Sequence, residues 1–389
     1  MRREVGVGLV ERALKLVENQ WPELAEAPMR VPLEYYRSEE IAAREREVFE
    51  TSPLALVAAC EISETHDYQV REVLGRSVLI TRDGDGVAHA FLNYCRHRGA
   101  EPVRGRGNAR SFACPYHSWT YDSCGRLVGM PHRDRHQGLD LAELGLVELP
   151  SEERHGFVWA VLRPGAPIDV ADHLGELDAE IGSLGCTGMN YYPALSNEPL
   201  AANWKSVAEG LLEGLHVPYV HPDTFALNPQ AAGVDLAFYD AIGPHVRYGM
   251  PMFDAAGAER LRATPTEDWD PAASIGCVWW IAPGLLLAQE LYGLIYADLT
   301  PGPDVRQARF RYGWLSPTLE APDGQPSPEA MAARAARAVG QDRPVWETCG
   351  RGLAQGEHGY ALIGRNEKGV QLLHRSIAGQ TGFQGLSYA

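Results

Sequence analysis

Cys95, His97, Cys114 and His117 stand as two short pairs, Cys-x-His and Cys-x-x-His, with sixteen residues between the pairs. Each pair offers one thiolate and one imidazole. Two thiolates on one iron and two neutral imidazoles on the other are the ligands of a Rieske [2Fe–2S] cluster, and the neutral rings make such a cluster a readier electron acceptor than an all-cysteine one. The competing chemistry is structural zinc, which also accepts two Cys and two His. Its ligands come more often as Cys-x-x-Cys and His-x3-5-His pairs than as mixed pairs. The spacing therefore favours a one-electron carrier.

A second constellation lies in residues 203–225, NWKSVAEGLLEGLHVPYVHPDTF. Glu213 and His216 are three apart and share a face if the segment is helical. His221 follows five residues after His216 with Pro218 between them, and a proline disrupts the helical ladder, so the chain can turn His221 back toward His216. Two neutral imidazoles and one carboxylate, with open positions, form the facial triad of O2-activating non-haem Fe(II). Such a histidine pair alone is weak evidence, because single histidines are commonly satisfied core groups. Composition cannot select the missing carboxylate among 51 acids.

The elements that must position these residues follow from patterning. At 389 residues the chain exceeds one usual domain. Its net charge of −16 argues against nucleic acid or an anionic membrane as partner, leaving small molecules and proteins. No run of 18 apolar residues occurs, and the N-terminus reads as an amphipathic helix rather than a signal peptide. Of seven scattered cysteines, the five beyond the two for iron read as reduced thiols, which places the protein in the cytoplasm. Residues 9–50 are charged and helical in pattern, whereas 55–163 alternate in short runs such as SVLITR and GFVWAVL, the mark of a small antiparallel β domain. Beyond a Pro/Gly break at 164–167, helical stretches alternate with β-like runs, which reads as α+β. Residues 277–299 are expected to form one long hairpin. Its Trp279 and Trp280 should face opposite sides, one of them either stacking on a substrate or packing as core.

Residues 93–100, NYCRHRGA, and 114–122, CPYHSWTYD, closely resemble the Rieske domain of aromatic-ring-hydroxylating oxygenases. Gly99 and Tyr116 stand where respiratory-type Rieske proteins carry an additional disulfide-forming pair. The 203–225 segment resembles the catalytic-iron motif of the same family, in the family's order and spacing. From about residue 33 to about 375, the chain resembles the α subunit of a Rieske non-haem iron oxygenase.

This resemblance implies an α+β fold with three parts: a helical segment at 1–44 packing on the catalytic domain, a Rieske domain at 45–165, and a helix-grip (START-like) iron domain at 166–389. Cys95, His97, Cys114 and His117 would hold the cluster. His216 and His221 would hold a mononuclear Fe(II). The third ligand would be Asp342 in the segment 341–353, QDRPVWETCGRGL, with Glu347 in reserve. The plain alternative puts Asp342 on the solvated face of an Ala-rich helix starting near Ser327, Pro328 and Glu329, a helix that Pro344 should interrupt. Glu213 would be the catalytic bridge, linking His216 to a cluster histidine of the adjacent subunit. Gly210 and Leu215 depart from the Asn and Tyr common in relatives.

The family also implies a homotrimer with head-to-tail contacts, compatible with an additional β subunit, and electrons from NAD(P)H through a flavin reductase, with or without a ferredoxin. The activity implied is hydroxylation of an aromatic or aromatic-acid substrate. Demethylation or hydroxylation of a quaternary ammonium or methoxy compound uses the same iron residues, and a pure electron-transfer Rieske protein would leave the second motif unexplained. Residues 94–117 carry five arginines, Arg96, Arg98, Arg104, Arg106 and Arg110, against Glu101. Such a patch suits either docking of an acidic electron donor or a solvated loop.

Overall fold

The structure is a computed structural model and describes residues 3–224 and 236–389; Met1, Arg2 and Phe225, the end of the second motif, lie outside them. The chain forms two compact units, one of Phe49–His173 with Gly185–Tyr191, the other of Met1–Val48 with Leu174–Leu184 and Tyr192–Ala389.

The strand pairs of the smaller unit are antiparallel. Its five-stranded sheet runs in the order Glu148–Leu149, Ala88–Leu92, Arg76–Arg82, Asp67–Val73, Arg106–Asn108, beside two three-stranded sheets. Leu74 and Gly75, both at positive φ, close the hairpin between Asp67–Val73 and Arg76–Arg82, the turn whose twist matches paired strands. Leu79, Phe91, Phe112, Trp119 and Tyr121 form a core that encloses Cys95 and Cys114. Gly125 is required there, because a Cβ would meet the Phe91 ring at 2.5 Å.

The larger unit is built on a seven-stranded antiparallel sheet. Its order is Asn190–Leu200, Ala308–Ser316, Gly293–Pro301, Leu285–Glu290, Ile275–Ile281, His245–Pro251, Phe238–Ile242. The helix Pro328–Gln355 packs on Ala308–Ser316, and the helix Lys368–Thr381 packs on His245–Pro251. Among the described residues, no helix is long and apolar enough to cross a membrane.

Three sequence expectations are corrected. Residues 277–299 fall on three strands rather than one hairpin, because turns at 282–284 and 291–292 each reverse the chain. The helical stretch expected over 9–50 is interrupted by the strand Met29–Pro32, which pairs with Tyr360–Ile363 and Ser387–Tyr388; its main-chain bonds come from residues over 300 positions away and leave no local signal. Pro344 does not interrupt its helix, which runs unbroken from Pro328 to Gln355. A proline ring crowds the carbonyl four residues earlier. Packing of the 28-residue helix on Ala308–Ser316 offsets that local cost.

The helix Trp204–Leu211, which leads into the second motif, is held by a buried charge pair. Asn203 caps its first turn by accepting from Lys205 N. Lys205 Nζ lies 2.5 Å from Glu45 Oε1, and Trp204 Nε1 donates to Glu45 Oε2 at 2.7 Å. Lys205 is 0% exposed and Glu45 2%. Burial pulls the Lys205 ammonium pKa down, against the pull of Glu45. Lys205→Met should strand the carboxylate and destabilise the larger unit by about 3–5 kcal/mol, with the double change Glu45→Leu/Lys205→Met recovering most of the loss in denaturant unfolding.

Candidate active site

The two cluster loops are near copies of one another. Cys95 N donates to Ala100 O and Gly99 N to Cys95 O, both at 2.8 Å; Cys114 N donates to Trp119 O at 2.8 Å and Ser118 N to Cys114 O at 2.9 Å. Each loop turns on a residue of positive φ at the same position, Gly99 at 76° and Ser118 at 57°. Serine there carries a steric penalty that glycine avoids. Both thiols are buried and unpaired by any disulfide. Tyr121 Oη sits 3.2 Å from Cys95 Sγ and accepts from Arg96 N at 3.0 Å, so one phenol ties the first loop to the core. The His97 and His117 rings lie 4.6 Å apart, and His97 stacks on Trp119 at 4.9 Å. His97 Nδ1 is buried with no hydrogen-bond partner among the described residues. Burial, with the nearby His117, Arg98 and His136 charges, lowers the His97 pKa.

The second motif differs locally from its expectation. The helix ends at Leu211, so Glu213 and His216 lie in the break before a short helix, Val217–Val220, and not on one helical face. Pro218 occupies the first turn of that short helix, where a missing amide hydrogen is harmless, and so it starts a helix rather than disrupting one. Glu213 shapes the break. Its carboxylate accepts from Leu215 N, from His216 N at 3.2 Å, and from His216 Nδ1 at 2.5 Å.

Asp342 arrives from the long helix. Its Oδ1 lies 2.9 Å from His221 Nε2 and 3.7 Å from His216 Nε2, and the three donor atoms fall within 4.8 Å of one another. Asp342 is 8% exposed, which removes the solvated-face alternative. Glu347 is not part of this group; it meets Arg343 Nε at 3.2 Å. The three residues line a cavity of about 200 Å³ walled mainly by apolar side chains, including Met250, Met252, Val278, Leu286 and Ile295. Trp279 and Trp280 are both buried outside that lining, Trp279 donating to Glu180 Oε1 at 2.8 Å, so they are core.

Residues 52–150 match the Rieske [2Fe–2S] domain, and residues 178–382, more than half of the chain, match the catalytic domain of ring-hydroxylating alpha subunits. The chain belongs to the ring-hydroxylating alpha subunit family. It is 30% identical over 202 residues to the carnitine monooxygenase oxygenase subunit of Escherichia coli (strain K12), covering 49% of this chain and 52% of that one. It is also 30% identical over 199 residues to the anthranilate 1,2-dioxygenase large subunit of Acinetobacter baylyi, covering 49% and 42%. These matches span about half the length of the curated relatives or less. Among solved structures, a quaternary ammonium Rieske monooxygenase in complex with L-carnitine superposes with TM-score 0.75 at 22% identity, over 92% of this chain and 97% of that one. Naphthalene 1,2-dioxygenase from Rhodococcus sp. superposes with TM-score 0.75 at 18% identity, over 97% and 98%. At these identities the structural likeness speaks to the fold.

A ring-hydroxylating alpha subunit uses a Rieske [2Fe–2S] cluster and a mononuclear iron, and both donor sets fit these groups. Buried thiols beside an orphaned imidazole nitrogen suit the cluster. Two imidazoles and a carboxylate on a cavity wall suit ferrous iron. The sequence reading missed Gln341, whose Oε1 accepts from His221 Nδ1 and Thr224 Oγ1, each at 2.9 Å, while its Nε2 donates to Asp223 Oδ1 at 2.5 Å. With the proton held on Nδ1, Nε2 of His221 faces Asp342. Burial works against charge on His221, but the bonds to Asp342 and Gln341 outweigh it and raise its pKa. The signal was adjacency alone, since Gln341 precedes Asp342 and Asp223 and Thr224 follow His221. Gln341→Leu should lower Fe(II) affinity about 10–100-fold while acid-labile sulfide stays unchanged, measured by metal content across an Fe(II) titration.

Proposed function

We propose that this chain is the terminal oxygenase component of a multi-protein system, acting on a small organic substrate with O2 and reductase-derived electrons. The observation that carries the reading is the convergence of His216, His221 and Asp342 on one apolar cavity wall. An electron-transfer protein alone has no use for that convergence. In this reading His216, His221 and Asp342 are the iron ligands, and Cys95, His97, Cys114 and His117 are the cluster ligands. When bound, the cluster supplies single electrons and the iron supplies O2 activation.

The protein's own part is to orient and to exclude water. Glu213 holds the proton on His216 Nδ1, and Gln341 does the same for His221, so both imidazoles present Nε2. Met250, Met252, Val278, Leu286 and Ile295 keep the space beside them dry. That apolar wall supports an aromatic or aromatic-acid substrate. Similarity to the carnitine monooxygenase subunit supports a second reading, oxidation of a quaternary ammonium compound.

The proposal extends to assembly and partners. A homotrimer would let the Glu213 carboxylate that grips His216 also accept from a cluster imidazole of the next subunit. NAD(P)H would act through a flavin reductase, with or without a ferredoxin. All seven cysteines are free, which fits a cytoplasmic location. The arginines 96, 98, 104, 106 and 110 are all exposed, with Arg104 Nε 3.0 Å from Glu101, and they suit an acidic electron donor.

Anaerobically purified protein should contain about three irons and about two acid-labile sulfides per chain. Asp342→Ala should retain about two irons and an unaltered Rieske-type signal in the reduced state. Two irons in the unaltered protein after Fe(II) reconstitution would end the oxygenase reading. Arg104→Glu/Arg106→Glu should slow reduction by the donor and flatten its dependence on salt; an unchanged salt dependence removes the docking role.

A further inference from the structure

The cavity wall carries a second charged feature. Arg334 lies on the helix Pro328–Gln355, Glu290 ends the strand Leu285–Glu290, and Arg334 Nη2 is 2.5 Å from Glu290 Oε1. Their side chains are 19% and 12% exposed, and both line the cavity that holds His216, His221 and Asp342. Arg334 is the one Lys or Arg among the described lining residues. Eight residues separate it from Asp342 on the same helix, which places the two backbones about 12 Å apart along the axis. The cavity therefore carries two charged groups on a largely apolar wall, with Tyr312 within electrostatic reach of both.

Stability does not account for the Arg334–Glu290 pair, because a hydrophobic pair of similar volume commonly stabilises a buried position as well as an ion pair does. Recognition does. A guanidinium is a planar fork whose geometry matches a carboxylate through two parallel hydrogen bonds. Glu290 and Asp342 come from different elements, and Glu213 and Asp342 already face the imidazoles, so Arg334, paired with Glu290, is the guanidinium of the described lining.

We infer that Arg334 anchors a carboxylate on the substrate, at the end remote from the iron triad, with Glu290 setting the orientation of the guanidinium. This rests on the oxygenase reading and narrows it to organic acids with an apolar or aromatic body, oxidised away from the carboxylate. Aromatic acids and zwitterionic ammonium carboxylates share the recognised group. Arg334 is a binding residue and Glu290 a positioning residue.

The test is isothermal titration calorimetry on protein with an intact cluster and recorded iron content. Benzoate against benzamide forms the aromatic arm, and glycine betaine against tetramethylammonium the zwitterion arm. In at least one arm the acid should bind about tenfold or more tighter than its partner. Arg334→Met should erase that preference, Arg334→Lys should keep part of it, and Glu290→Gln should retain the preference for the acid. The arm that shows the preference identifies the source of the carboxylate.

Failure of both acids to bind, or equal binding of acid and partner in both arms, overturns the inference. So does an Arg334→Met protein that loses acid and amide alike together with a lowered melting temperature, since the pair would then be a structural tie between strand and helix. Charge-selective binding to protein that takes up no third iron leaves Arg334 standing and removes the oxygenase reading. Iron-replete protein without charge selectivity does the reverse.

Discussion

The Asp342 carboxylate sits in a mostly apolar cavity, and making that burial tolerable governs much of the larger unit. An ionised carboxylate is costly away from water unless it is paired and hydrogen-bonded. Here two imidazole nitrogens stand at 2.9 and 3.7 Å, delivered by a segment over 120 positions earlier in the chain, and a metal cation held by the three groups would supply the compensation. Each imidazole has its far nitrogen fixed, one by Glu213 and the other by Gln341. Gln341 is in turn held by Thr224 and Asp223. The short helix Val217–Val220 and the helix break before it are therefore consequences of where two ring nitrogens must point.

The cluster loops solve a similar problem by a different route. Their thiols come from matching turns closed by main-chain hydrogen bonds, not from long-range side-chain pairing. The same bonds join Cys95 with Ala100 and Gly99, and Cys114 with Trp119 and Ser118. Because that geometry is local, it leaves a readable pattern in sequence. The iron site depends on a contact between distant elements, and only its histidine half is local enough to read in that way.

That difference explains what was legible. The antiparallel β character of 55–163, the α+β character beyond it, and the Ser327 cap of the long helix, which accepts from Ala330 N at 3.2 Å, all follow from short-range pattern. Asp342 was assigned by resemblance, and nothing in its own neighbourhood distinguished a buried acid from a solvated one. The strand Met29–Pro32 was missed because its partners lie at the far end of the chain. Pro344 misled because the packing of its helix on Ala308–Ser316 outweighs the local cost of a proline. Gln341, Glu290 and Arg334 are ordinary polar residues until the fold brings each against its partner.

The glycine at 210 carries this argument into the chemistry of the cavity. Read in sequence, Gly210 is a departure that removes a polar side chain from the iron site. In the fold, a Cβ at this position would meet Trp346 Nε1 at 2.5 Å, and a Cβ at Gly350, one turn further along the same helix, would meet Ala202 at 2.9 Å. The two glycines let the helix bearing Asp342 approach the helix Trp204–Leu211 closely, with the Trp346 indole filling the space. The lost polar group is thus exchanged for close packing between the helix bearing Asp342 and the helix Trp204–Leu211. A consequence follows for orientation. With Gly210 on the wall in place of a polar side chain, one hydrogen-bonding group fewer is left beside the triad. Polar control over how a substrate lies shifts to Glu290 and Arg334, the paired charged groups on the same wall.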